Sequence, residues 1–287
     1  MDKLAVEPAS QAGAQVIEVR GVSVEFGGVK AIDALDARLD APVCGLIGPN
    51  GAGKTTLVNL MSGFVRATTC ALALDGVELL ALSPERRVRL GLRSSFQTEQ
   101  VVEDLSVWDN VQAMLDHVPH ALADATAQVR RAREHTGLLD SAAIRSSELD
   151  LFRRRMVEVA KALVGGPRLI LFDEPGAGLD ERESTVLRDA IADIPSRFGA
   201  QVLLIDHDVD LIAAVCTQTL VLDFGRRLAL GPTREVLAGA FAAKLDSDRF
   251  TSAYKLRLQP DDQTIEWAHI EEDGRSSVTV DEPGSDG

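Results

Sequence analysis

The chain has 287 residues, enough to bury a large core as one big domain or as a main domain with a subdomain. Its net charge of −14 argues against a large nucleic-acid footprint, and it has no run of about 18 apolar residues that would span a membrane unaided. Residues 1–15 lack the basic and apolar regions of a signal peptide, and Cys44, Cys70 and Cys216 are scattered among apolar neighbours, which suits a reducing compartment better than disulfides or a metal site.

In chain order, residues 16–19 and 22–26 alternate apolar and polar side chains and predict two antiparallel strands, each with one exposed face. Gly27-Gly28 turns the chain, and residues 34–39 return as a strand. Phe26 has two readings: core packing, or an aromatic face for a purine. Residues 43–47 are a short apolar run, predicted as a buried strand. It leads into Gly48-Pro49-Asn50-Gly51-Ala52-Gly53-Lys54-Thr55, with Thr56 opening a helix. Gly48-x-x-x-x-Gly53-Lys54-Thr55 is a complete phosphate-binding loop. Glycines let successive backbone N–H groups turn inward, Lys54 reaches β- and γ-phosphates, and the Thr55 hydroxyl is placed to ligate Mg²⁺. The following helix adds the positive potential of its N-terminus.

Residues 71–76 read as a strand and turn, 84–90 as a short helix, and 91–96 as a strand entering Gln97. From residue 107 to about 149 the pattern is helical. Leu122, Ala125, Val129, Ala132 and Leu139 share a face, and Arg130, Arg131, Arg133 and Glu134 are predicted to face out. A second helix over 156–164 stops at Gly165-Gly166-Pro167. Residues 169–172 form an apolar strand that delivers Asp173-Glu174. A helix over 181–194 gathers Val186, Leu187, Ala190, Ile191 and Ile194 on one face. Residues 202–205 deliver Asp206-His207-Asp208. Residues 220–222 and 227–229 suggest a hairpin around Phe224-Gly225. Apolar strands alternating with helices imply a mostly parallel sheet covered on both faces. The tail reads as a hairpin, 254–258 and 264–267, around a turn at 260–262, followed from 271 by disordered composition. Residues 246–287 carry eleven acidic against four basic residues, half of the net charge.

Asp173 suits a second-sphere Mg²⁺ acid fixed by a buried strand, and Glu174 beside it could polarise a water. The alternative for such a pair after a strand is a helix cap. Gln97 could touch Mg²⁺ and water, and His207 could hydrogen-bond a γ-phosphate, though a lone Gln or His is often structural. All four arise at the C-terminal ends of strands, where ligands sit in open α/β sheets.

Taken in order, Phe26, the 48–55 loop, Gln97, a helical insert, Asp173-Glu174-Pro175, Gly178-Leu179-Asp180 and His207 resemble an ABC-transporter ATPase subunit over residues 16 to about 240. The wording of the 45–56 loop, Phe96-Gln97, residues 158–163, Ala177 to Asp180 and Asp206 to Asp208 is similar to the branched-chain amino acid importer branch. The resemblance implies a P-loop NTPase core over 16–97 and 165–242 with an antiparallel β subdomain, and a helical subdomain over 98–164; outside what it explains, composition predicts a flexible N-terminus over 1–15 and an acidic extension over 243–287. It implies ATP and Mg²⁺ as cofactors, with Phe26, residues 48–56, Gln97 and Asp173 on the nucleotide, Thr55, Gln97 and Asp173 on the metal, and Glu174 and His207 as catalytic residues. It further implies permease subunits as partners, docked near residues 98–115, and a peripheral position on the inner face of the cell membrane, with membrane contact only through those partners. The cargo expected is an amino acid, an amide or urea.

One element departs from the family pattern. Where its signature loop reads Leu-Ser-Gly-Gly-Gln, this chain has Leu149-Asp150-Leu151-Phe152-Arg153, unless the loop is shifted. In the family that loop closes over the nucleotide held by the partner subunit. A carboxylate at position 150 repels a γ-phosphate, and Phe152 bars the close backbone approach that glycine permits. The expectation is a heterodimer with a standard subunit. The alternative is a regulatory or scaffold ABC protein that binds ATP and hydrolyses it poorly.

Overall fold

The computed structural model describes residues 15–67, 69–95, 100–118, 124–244, 255–257 and 266–268. They fall into two compact units, one up to Val236 and one from Leu237 onward.

The first unit is built on two sheets. β1 (Ile17–Phe26), β2 (Val29–Leu39), β4 (Thr69–Leu74) and β5 (Val77–Glu78) pair antiparallel in the order β2-β1-β4-β5. β3 (Val43–Ile47), β6 (Leu92–Ser94), β7 (Leu169–Asp173), β8 (Gln201–Ile205), β9 (Gln218–Asp223) and β10 (Arg226–Pro232) form the second, in the order β10-β9-β3-β8-β7-β6. β9, β3, β8, β7 and β6 run parallel, and β10 closes one edge antiparallel. Every residue of β3, β7 and β8 is buried, the apolar runs together with Asp173 at the end of β7 and Gln201 at the start of β8, as befits central strands covered on both faces. This is the mostly parallel α/β core with an antiparallel β layer that the sequence implies.

Helices α1 (Lys54–Ser62), α2 (Pro84–Leu90), α3 (Val107–Gln112), α4 (Ala125–His135), α5 (Leu151–Ala162), α6 (Glu181–Phe198) and α7 (Val209–Val215) complete the unit. Several differ from expectation. One strand, β1, stands where two were expected: Gly21 takes φ 58°, its N–H donates to Asp36 Oδ1 at 2.8 Å, and the register against β2 shifts between Val19 and Val22. A bulge thus carries the chain through what reads as a turn. In α4, Val129 and Ala132 are buried as expected, but Arg133 is buried too. Its Nη2 donates to the carbonyls of Leu138 and Leu139, and its guanidinium lies 5.5 Å from the centre of the Trp108 ring. Arg133 caps the turn that ends the helix, and Leu139 is 42% exposed instead of joining the face. α5 starts at Leu151, ahead of the expected Met156, because Asp150 is its N-cap and accepts from Arg153 N at 2.7 Å. α6 runs past Ile194 to Phe198 with Pro195 inside it, and Val186 lies on its exposed side. An Asp180–Glu183 capping box starts it.

In the second unit β11 (Lys255–Arg257) pairs antiparallel with β12 (Glu266–Ala268). The expected turn at 260–262, the acidic end, Leu122 and residues 1–14 lie outside the described residues.

The position of α1 rests on a buried cation. Arg87 of α2 donates through Nη1 to Leu60 O at 2.5 Å and Met61 O at 2.8 Å, and through Nε to Leu82 O at 3.1 Å. Arg87→Met keeps the apolar stem and strands the carbonyls at the end of α1. Urea denaturation should show a loss of about 2 kcal/mol.

Candidate nucleotide site

β3 delivers the glycine loop, and the loop is clamped from two sides. A Cβ at Gly48 would lie 2.3 Å from Leu222 O at the end of β9, and one at Gly53 would lie 2.5 Å from Ala31 O in β2. Both glycines also hold positive φ, 155° and 100°, so no other residue type fits there without moving the walls. Gly225 N donates to Ala52 O at 3.0 Å, and Asp33 N donates to Gly225 O at 2.9 Å. The β9–β10 turn therefore bridges the loop and β2.

α1 begins at Lys54, with Gly53 as its N-cap and no side chain capping the first turn, so its leading N–H groups face the loop. Lys54 curls back and donates to Gly48 O at 2.6 Å and Pro49 O at 3.2 Å. Its side chain is buried, and that burial draws its pKa down against the opposing pull of Glu174, Asp173 and Asp206. Asn50, Gly51 and Thr55 are exposed, Pro49 and Thr56 are half-buried, and Ala52 is buried under the turn.

Two neighbouring parallel strands supply the carboxylates. Asp173 ends β7, paired with Ile205 of β8, and is buried. Burial, then the charge of Glu174, raises its pKa, and Lys54 opposes the rise. Glu174 has φ 49°, an unusual conformation for a non-glycine residue, and is held there by its N–H donating to Ile205 O at 2.8 Å. Asp206 follows β8, is 3% exposed and accepts from Asp208 N at 2.9 Å. Burial pushes its carboxyl up to about 6. The largely exposed His207 has Nδ1 3.5 Å from Glu174 Oε1 and 3.6 Å from Asp206 Oδ1, within ion-pair range of both carboxylates.

The structure thus gathers Lys54, Asp173, Glu174 and His207, as the sequence suggests, and adds Asp206. The sequence shows Asp206 only as the residue before His207; its burial depends on the packing of β7 beside β8. Phe26 ends β1 with 51% of its surface exposed, which leaves its ring available rather than packed in the core. Gln97 lies outside the described residues. The 149–153 loop stands beside the turn that follows Glu174: a Cβ at Gly178 would lie 3.2 Å from Leu151 Cδ2. Leu149 is buried; Asp150, Leu151 and Arg153 are exposed. Phe152 is half-buried and lines a cavity of about 540 Å³ with Met156, Val186 and Ala190.

Comparison with known proteins decides the family. The family model described as ABC transporter matches residues 40–177. The chain is 30% identical over 237 residues to the high-affinity branched-chain amino acid transport ATP-binding protein BraF of Pseudomonas aeruginosa, covering 77% of this chain and 93% of that protein. It belongs to the ABC transporter family of ATP-binding subunits. Its likeness to LivG of Escherichia coli K12, a branched-chain amino acid transport ATP-binding protein, is 29% over the same shares. With the methionine import ATP-binding protein MetN of Myxococcus xanthus it shares 33% over 78% of this chain and 70% of that one. Among solved structures, the ADP conformation of the ABC-transporter cassette MJ1267 superposes with a TM-score of 0.72 at 22% identity, covering 80% of this chain and 97% of that one. The cbiO1 subunit of Clostridium perfringens superposes with a TM-score of 0.72 at 21% identity, covering 82% and 96%. This ABC ATPase binds ATP, and the P-loop α/β fold is that of the cassettes it superposes on. Among the described residues no helix is long and apolar enough to cross a membrane, and no group of three or more His, Cys, Asp or Glu is arranged to hold a metal.

The burial of Asp206 sets a pH dependence. A folded-state pKa above the unfolded value of about 3.9 means that ionising Asp206 costs stability. The cost is absent below the unfolded pKa and complete above about 6. Asp206→Asn should therefore be more stable than the parent nucleotide-free chain, and urea denaturation should show that advantage growing by about 1 kcal/mol between pH 5 and pH 8.

Proposed function

We propose that the chain is the ATP-hydrolysing subunit of an importer for amino acids or related small polar solutes, pairing with a second ATP-binding subunit on the inner face of membrane-embedded permeases. The observation that carries the reading is Glu174, held at φ 49° between buried Asp173 and His207, facing the same site as Lys54. The names of the relatives, BraF, LivG and MetN, supply the class of cargo.

Each residue has a task. The loop N–H groups and Lys54 hold the phosphates, and Phe26 offers its exposed face to the purine. Mg²⁺ fits the donor set: the exposed Thr55 hydroxyl and the Asp173 carboxylate, in a cluster whose negative charge Lys54 alone does not balance. An ion held mainly by phosphates, water and one or two side chains needs no all-protein cage. When bound it neutralises charge on the β- and γ-oxygens. Glu174 orients the attacking water and takes its proton, and His207 donates to a γ-phosphate oxygen. Gln97 is assigned to metal and water by resemblance. For the permease, support comes from a cavity of about 280 Å³ lined by Phe64, Gln100, Met114, Glu158 and Lys161, with Phe64 exposed beside it.

The pairing is asymmetric. Asp150 caps α5 as a serine would, so the helix is preserved, yet it sets a carboxylate where the family's serine donates to the γ-phosphate of the partner's nucleotide. At about 4 Å and an effective dielectric of about 20, each unit-charge pair costs about 4 kcal/mol. The site made from this chain's 48–56 loop and a partner's Leu-Ser-Gly-Gly-Gln has no such penalty. The heterodimer is thus the competent form.

The test is ATP turnover by the chain alone, and mixed with a subunit carrying an intact signature. The mixture should turn over at least about tenfold faster, and Glu174→Gln should remove that turnover and spare ATP binding. Vigorous hydrolysis by the isolated chain, lost on Glu174→Gln, contradicts the asymmetric pairing.

A further inference from the structure

Buried polar atoms without a hydrogen-bond partner are rare, and each asks for a reason. Among the described residues these atoms are Ser62 Oγ, Gln201 Oε1 and the Nε of Arg93, Arg133 and Arg155. Ser62 and Arg93 stand apart, because both line one cavity of about 280 Å³ between the sheet core and the helical subdomain. Ser62 ends α1 with 5% of its surface exposed, and Arg93 lies in β6 with 3% exposed. The wall continues through Ser95, whose Oγ accepts from Asp173 N at 3.4 Å, so the cavity adjoins the strand that ends at the nucleotide site.

The cavity is cationic. Arg93 is pinned through Nη1 to Val88 O at 2.6 Å and Leu92 O at 3.2 Å, and through Nη2 to Val164 O at 3.3 Å and Gly165 O at 3.1 Å, so its Nε is not free to turn elsewhere. Those carbonyls carry no net charge. Burial, with no carboxylate to oppose it, pulls the guanidinium down to about 10. Arg87 and Lys161 add two more cations to the wall. Among the described residues the acid of the wall is Glu158, and both of its oxygens are taken. Oε1 accepts from Gln100 N at 2.6 Å, and Oε2 accepts from Arg155 Nη1 at 3.0 Å. Val88, Leu92 and Met114 supply apolar surface. The volume lies just under the range of about 300–1,000 Å³ usual for ligand pockets, so an occupant is small. Water would bond to the two donors and leave the charge unbalanced; an anion answers both.

We infer that this cavity is a binding site for a small monocarboxylate with an apolar stem. Its oxygens accept from Ser62 Oγ and Arg93 Nε, and its stem lies against Val88, Leu92 and Met114. An amino acid of the same size is disfavoured, because its ammonium would meet Arg87, Arg93 and Lys161 with no unused carboxylate beside it among the described residues. The site shares the cavity credited above to the permease, and a test on the chain alone separates the two. Isovalerate and valine, which differ by one ammonium, are titrated calorimetrically into the full-length parent, Ser62→Ala and Arg93→Lys, beside thermal melts and a MgATP titration. Ser62→Ala removes a hydroxyl that has no hydrogen-bond partner, so it folds and binds MgATP as the parent does. Arg93→Lys keeps the charge and drops Nε; if it does not fold, Ser62→Ala decides alone. The expected result is that isovalerate binds the parent and raises its melting temperature, binds each variant about tenfold more weakly, and that valine does not bind. No binding of isovalerate by the parent means that the cavity holds water only and overturns the proposal. Equal binding by the parent and Ser62→Ala places the acid elsewhere and also overturns it. Valine bound as tightly as isovalerate overturns the ligand class. If the parent binds no free acid and Ser62→Ala loses the permease subunits, the two atoms belong to the docking surface: that reading stands and this one fails.

Discussion

The site depends on one buried ammonium among too many carboxylates. Lys54 is held by Gly48 O and Pro49 O at the mouth of α1, and Asp173, Glu174 and Asp206 all act on it from the ends of two adjacent strands. Burial pulls the Lys54 pKa down and the Asp173 and Asp206 values up, so each charged form is strained in the nucleotide-free chain. A triphosphate with its divalent ion completes this arrangement: anionic oxygens for Lys54 and the helix N–H groups, a cation for the carboxylates. The parallel sheet makes the cluster possible, because β7 beside β8 brings both acidic ends to one edge.

The glycine loop is rigid for reasons outside itself. Its glycines face carbonyls of β2 and β9, and its last turn is bonded to Gly225 in the hairpin on the far edge of the sheet. At the same site Glu174 holds a positive φ and is fixed by Ile205 O at the end of β8. Antiparallel layer, parallel core and edge hairpin therefore meet at the residues that hold phosphate.

Local features were legible in the sequence. The 48–56 loop, the apolar strands before Asp173 and Asp206, the helix over 84–90 and the hairpin around Phe224-Gly225 are each set by a few adjacent residues, and each is found as read. Features that depend on distant partners were not. Arg133 looks like an outward charge until the chain turns at Leu138 and offers it carbonyls. The strand β1 reads as two because a bulge at Gly21 is indistinguishable from a turn without its partner strand. Asp150 reads only as a departure from a signature; as the N-cap of α5 it also explains why the helix survives the change. The clamp through Gly225 leaves no trace in local sequence, since Ala31, Ala52 and Gly225 are far apart along the chain.

The claim most open to direct attack is that Lys54 and its loop grip the triphosphate. Calorimetric titration of MgATP into Lys54→Ala, with the fold checked by its thermal melt, measures this. The account predicts loss of measurable binding in a folded chain. MgATP affinity equal to that of the parent would contradict it.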